Sequence, residues 1–218
     1  MGASCPALEA DLPCDCGFGE REGMMAEKPI LFKGEMVRAI LSGTKTQTRR
    51  VVKPHPRGNF ERAKRGFVVD GSGTRSVAFD TYYASKDIPC PYGKPGDRLW
   101  VRESYCPRYF DDYTHGYRAD WSDEAAEFLP EPKWKPSIHM FRKDSRIDLL
   151  IKDIRVERLQ DISDEDVLHE GFRMDNTSIF RLGYQGAFEM LWNSINAKKH
   201  PWESNPWVWV VEFEIETP

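Results

Sequence analysis

The chain has no apolar run approaching the roughly 20 residues that a membrane-spanning helix requires, and no basic start followed by an apolar core of the secretory kind. It has no internal repeat and no low-complexity tract. These absences argue against a membrane protein, a secreted protein and a repeat array, so the cytoplasm is the expected compartment. Cysteine is sparse: five residues, an odd number, with Cys14 and Cys16 the only close pair. No secretory context supports a disulfide framework. The spacing of Cys14, Cys16, Cys90 and Cys106 fits no standard zinc pattern, so neither a metal nor another cofactor is expected. What is present is a chain of 218 residues, 30% charged and 12% aromatic, enough for one globular domain with a substantial core or with long insertions.

The net charge of −4 conceals local asymmetry. Residues 43–66 hold eight Lys or Arg against the single acid Glu61, whereas 120–132 and 161–170 each hold five acids and no Lys or Arg. One basic strip on an acidic protein fits local contact with phosphate or RNA better than broad coating of nucleic acid. The part beyond Arg50 reads rather as a solvated surface loop.

The strip begins at a recognisable corner. Met36, Val37, Ile40 and Leu41 recur at helical spacing, and Gly43 stands where a helix ending at Ser42 needs a left-handed cap. Polar residues then alternate: Thr46, Thr48 and Arg50 share one face of a strand, and Gln47, Arg49 and Val51 share the other. Lys45 and Thr48 are three apart and converge only if Lys45 belongs to the turn and Thr48 to the strand. Hydroxyl and guanidinium groups on such a corner suit a reactive or anion-binding site.

Elsewhere the pattern predicts a mixed α+β chain. A first strand is expected at 29–32, a helix at 34–42, and a hairpin from 67–69 and 77–84. A rigid Pro- and Gly-rich turn at 89–97 leads into a strand at 99–103. Residues 146–159 form a long strand with apolar residues on both faces, as in a strand covered on both sides. Ser163 and Asp166 form a capping-box start for a short helix ending at Glu170-Gly171. A helix over 178–196 is expected to bury Phe180, Ala187, Phe188, Leu191, Trp192 and Ile195. The strand at 207–215 places Trp207, Trp209, Val211, Phe213 and Ile215 on one face. Residues 1–27 show no periodicity and read as a flexible leader. One domain over 28–218 is expected, with insertions at about 53–95 and 105–145.

Gly43, Lys45, Thr48 and Arg50 reproduce the pattern G-x-K-x-x-T-x-R, and in this the chain resembles the ASCH domain, a relative of the RNA-binding PUA fold. The order along the chain extends the resemblance from 28 to 217: an early strand, this corner, Gly96-Asp97-Arg98-Leu99-Trp100-Val101, then Glu170-Gly171 and a terminal strand. The resemblance implies a PUA-like, partly open β-barrel of five to seven strands with flanking helices and, here, long loop insertions. In small ASCH amidohydrolases a lysine and a threonine of this motif act with a glutamate on the amide of N4-acetylcytidine. The first two map onto Lys45 and Thr48, and Glu170 takes the glutamate's place by element order. The insertions have no counterpart in those much shorter enzymes.

The side chains fit such chemistry. Thr48 becomes a nucleophile only when its proton is removed. Lys45 removes it only when neutral, which requires desolvation or neighbouring cations to depress its pKa. Arg49 and Arg50 are such cations, and either could instead hold a phosphate or a carbonyl oxygen. Glu170 could relay a proton to the leaving amine, but an ordinary Lys45–Glu170 ion pair would raise the lysine pKa and oppose base catalysis. Glu103 is a competing acid or a strand-end surface residue. Trp100 could stack a base or fill the core, and His139 could contact substrate or simply pack. Two functions remain open: a hydrolase acting on a modified nucleoside or RNA, and a non-catalytic RNA- or nucleotide-binding module using the same cleft.

Overall fold

The computed structural model describes residues 25–53, 63–69, 75–80, 85–107, 115–122, 132–173 and 177–216. In chain order the strands are β1 (Glu27–Leu31), β2 (Gln47–Val51), β3 (Ala63–Val69), β4 (Arg75–Asp80), β5 (Ser85–Pro89), β6 (Arg98–Arg102), β7 (Tyr105–Cys106), β8 (Gly116–Tyr117), β9 (Asp148–Arg158) and β10 (Trp207–Ile215). The helices are α1 (Gly34–Leu41), α2 (Asp164–His169) and α3 (Thr177–Asn196), with short 3-10 turns between elements. None of these helices is long and apolar enough to cross a membrane.

The architecture is mixed α+β. A five-stranded sheet runs β1-β6-β9-β10-β2, with every pairing antiparallel except β1 with β6. A three-stranded sheet β3-β4-β5 and the small pair β7-β8 stand apart from it, within the two stretches expected to be insertions. The expected hairpin is the pair β3-β4, to which β5 adds a third strand. Among the described residues no backbone pairing joins β1 to β2, so the five strands form an open sheet and not a closed barrel. A side chain spans the gap between its edges: Arg50 of β2 donates from Nη2 to the Leu31 carbonyl of β1 at 2.8 Å. The same guanidinium lies over the Phe32 ring, 5.2 Å from its centroid.

β10 carries apolar side chains on both faces because both are covered. Trp209, Val211 and Phe213 join Ile30, Leu99 and Ile154 in the main core, while Val208 and Val210 join Val167, Phe188 and Trp192 in a second core. Burying each such large side chain contributes about 1.5–3 kcal/mol. Ile215 of the expected face lies at the strand end and is partly exposed.

The double-faced pattern of β9 has a further cause. Its register against β10 passes from Glu212↔Asp153 to Phe213↔Ile151, leaving Lys152 bulged out. One extra residue flips the alternation, so Ile151 and Ile154 both enter the main core although they are three apart. Beyond the bulge, Arg155 stands opposite Val210, which faces the second core.

Two sequence expectations change. Phe180 is 92% exposed, because Gly183, at φ 72 and ψ 175, breaks α3 and puts Phe180 out of phase with the buried residues that follow; Ile195, in phase with Phe188 and Trp192, is 41% exposed on the wall of an open cavity. The first strand begins at Glu27, inside the expected leader, and Ala26 donates its N–H to Asp97 Oδ1 at 3.1 Å. Residues 1–24 of that leader lie outside the described residues.

Candidate functional site

The corner after α1 is built by backbone bonds around a left-handed residue, a conformation that favours glycine. Gly43, at φ 73, donates to Ile40 O at 2.8 Å, and Thr44 and Lys45 both donate to Ala39 O at 2.9 and 3.0 Å. Lys45 therefore belongs to the turn and Thr48 to β2, the arrangement their spacing requires for convergence. The end of α2 is stitched to the same segment: Thr46 donates to His169 O at 2.9 Å, and Lys45 and Glu170 form an isolated antiparallel bridge. The approach depends on Gly171, at φ 100, where a Cβ would stand 3.0 Å from Ala39 Cβ and 3.1 Å from Lys45 Cβ.

Those contacts bring two residues far apart in sequence into one buried ion pair. Lys45 Nζ lies 2.6 Å from Glu170 Oε2 and donates to the Glu170 carbonyl at 2.9 Å, with the side chains 1% and 5% exposed. Arg49 Nη1 reaches the other oxygen, Oε1, at 3.2 Å. Glu170 thus sits between two cations. Burial drives the Lys45 pKa below its ordinary value; Glu170 opposes this through charge and hydrogen bond, and Arg50 and Arg49 reinforce it. Desolvation prevails because the ammonium is enclosed by protein, its side chain only 1% exposed.

A second charge network fixes α2 on the sheet. Ser163 Oγ caps the helix by accepting from Asp166 N–H at 3.1 Å. The Asp166 carboxylate accepts from Gln47 at 2.8 Å and from Arg49 and Arg155 at 2.9 Å each. Arg49 also binds Glu157 at 2.6 Å, and Arg155 pairs with Glu212. Burial would raise the Asp166 pKa, yet the Gln47 bond and the two guanidinium groups hold it down at about 2. All three Arg49 nitrogens are engaged by Glu157, Asp166 and Glu170. Its geometry is that of a clasp between β2, β9 and α2, and it also borders the cavity over the corner.

A cavity of about 680 Å³ opens over the corner. Thr48, Arg50, Glu170, Tyr92, Trp192 and Lys198 are on its wall. The Thr48 hydroxyl makes no hydrogen bond to a described residue, and Lys45 directs its bonds to Glu170 instead. The structure therefore joins Lys45 to Glu170 directly, and joins Thr48 to Glu170 through a shared wall.

The other sequence candidates stand elsewhere. Glu103 is 2% exposed and paired with Arg146 at 2.9 Å, which in turn holds Asp120; burial pushes the Glu103 carboxyl pKa up against the pull of Arg146. Trp100 is covered by the Arg102 guanidinium, 5.5 Å from its ring centroid. His139 is exposed beside Arg102 and Met140 in a separate cavity, and its carbonyl accepts from the Tyr105 hydroxyl at 3.3 Å. None of the three is on the wall that carries Glu170. Sequence reading missed Tyr92, Lys198 and Lys199 as wall residues and Glu157 as an Arg49 partner, since no local spacing marks them. Among the described residues, no group of three His, Cys, Asp or Glu side chains could hold a metal ion. Comparison of the chain with protein-family models, with curated proteins and with solved structures finds no match.

Proposed function

We propose that this chain is an ASCH-like protein with a PUA-like fold that hydrolyses an amide on a modified nucleoside, most concretely an N4-acetylcytidine-like substrate. The supporting observation is the buried Lys45–Glu170 pair, whose glutamate shares a cavity wall with Thr48. The side chain of Arg50 that spans the sheet edges supports the PUA-like reading, because it marks a sheet curled towards closure.

In this mechanism Lys45, in its neutral form, takes the Thr48 hydroxyl proton. Thr48 Oγ1 attacks the amide carbonyl, forming a C–O bond and a tetrahedral oxyanion. The C–N bond then breaks as Glu170, protonated in exchange with Lys45, gives the leaving amine its proton. Water hydrolyses the resulting acyl-threonine, releasing acetate and restoring the hydroxyl.

The binding-module reading keeps one observation in its favour: Lys45 and Glu170 already satisfy each other as an ion pair, and such a pair is complete without turnover. Incubation of the full chain with N4-acetylcytidine separates the two. Release of cytidine and acetate by the wild type, lost in Thr48→Ala, supports the hydrolase. No release by the wild type, with the nucleoside still bound, supports the module.

A further inference from the structure

We infer that the cavity recognises a phosphate: its ligand is a nucleotide whose phosphate is held by Arg50 within a rim of Lys53, Lys198 and Lys199. The inference rests on the reading of the cavity as a nucleoside site and names the substrate class more closely.

The four cations come from two distant parts of the chain. Arg50 ends near the edge of β2 with Lys53 just beyond it, and Lys198 and Lys199 follow the end of α3. Among the described residues Glu170 is the one carboxylate on the same wall, and Lys45 and Arg49 already match its charge. Among the described residues no carboxylate pairs with Arg50, Lys53, Lys198 or Lys199. A protein of net charge −4 thus gathers an uncompensated positive field over one concave surface. Lysines after a helix commonly complement its dipole, which accounts for Lys198 and Lys199 alone. It does not account for Arg50 and Lys53, which follow a strand and face the same space.

Arg50 is also held in place. Its Nη2 donates to Leu31 O at 2.8 Å, its Nη1 to Arg49 O at 3.4 Å, and its plane lies over Phe32. Both acceptors are neutral carbonyls, so the charge is undiminished, and of about five N–H donors three remain for a ligand. A fixed guanidinium with donors to spare suits a phosphate, which accepts charge-assisted bonds from guanidinium and ammonium together. Tyr92 and Trp192 supply aromatic surface beside it, and the Trp192 ring is fixed by its Nε1–H bond to His200 O at 2.8 Å. A neutral nucleoside would fill the aromatic part and leave the cations without a counter-charge.

The test is calorimetric titration of the full chain with cytidine, cytidine 5′-monophosphate and a short oligocytidylate, using wild type and the exposed double variant Lys198→Gln/Lys199→Gln. At least one phosphate-bearing ligand should bind wild type about tenfold or more tighter than cytidine, with affinity falling as salt rises. The double variant should lose most of that gain while binding cytidine unchanged. A gain already present with the monophosphate identifies a terminal phosphate, and a gain confined to the oligonucleotide identifies phosphodiesters. Absence of any gain or of binding by both phosphate-bearing ligands overturns the inference, as does equal weakening of cytidine in the double variant. Turnover of neutral N4-acetylcytidine without a phosphate gain would remove this inference and leave the hydrolase. A phosphate gain without turnover would do the reverse.

Discussion

Glu170 Oε2 accepts from Lys45 Nζ at 2.6 Å across 125 residues of chain. Both side chains are buried and Arg49 flanks the carboxylate from its other oxygen. The catalytic role proposed for the corner passes through this contact.

Removing one partner strands the other in a medium that solvates it poorly. Lys45→Met and Glu170→Leu should each lower unfolding free energy by about 3–5 kcal/mol. The double variant should cost clearly less than their sum, since the two residues are in contact. Urea denaturation of the four proteins measures the cycle, and strict additivity would show that the two groups do not interact.

Gly171 tests the approach that makes the pair possible. Gly171→Ala places a methyl against Ala39 and Lys45 at a positive φ, and should cost about 1–3 kcal/mol through backbone strain alone, with the clash added. Thermal unfolding checks this. A neutral substitution would mean that the corner relaxes without penalty.

For Arg49 the network predicts a split between stability and binding. Arg49→Lys keeps the charge but cannot fork to Glu157, Asp166 and Glu170 at once. Each buried acceptor left without its donor costs about 1–3 kcal/mol. Denaturation should register that loss, whereas nucleotide affinity, measured well below the unfolding transition, should change little. A large affinity loss at unchanged stability would return Arg49 to the ligand site.

Acid should loosen α2. The folded Asp166 carboxyl titrates at about 2 against an ordinary value of 3.8, so the unfolded chain takes up the proton first as pH falls. The stability that this carboxylate contributes is complete above about pH 4 and is lost towards pH 2. Asp166→Asn should be less stable than wild type at neutral pH, and the difference should shrink across that window. Equal slopes of stability against pH in the two proteins would mean that Asp166 is not held down.

Much of the corner was legible because its determinants are local. Gly43 marks the helix end, alternation assigns Thr48 and Arg50 to one face of β2, and Ser163 with Asp166 marks the start of α2. The partners were not legible. Arg49 reads as an anion-binding cation until Asp166 and Glu157, more than 100 residues away, are folded against it. Lys198 and Lys199 look like ordinary helix-end lysines until the chain turns them towards Arg50. Phe180 misled because periodicity does not register the break at Gly183, and the long strand at 146–159 hid a bulge at Lys152 that only pairing with β10 exposes.

The most direct test of the hydrolase reading is Lys45→Arg assayed on N4-acetylcytidine beside wild type, reading both cytidine release and nucleoside affinity. Because the reactive form is the neutral amine, wild-type turnover should rise with pH and level off below the ordinary lysine value of 10.5, the direction in which burial moves Lys45. A guanidinium does not deprotonate at workable pH. The variant should therefore lose turnover while holding the nucleoside to within about tenfold, roughly 1.4 kcal/mol. Robust release by Lys45→Arg would contradict the account and remove Lys45 as the base.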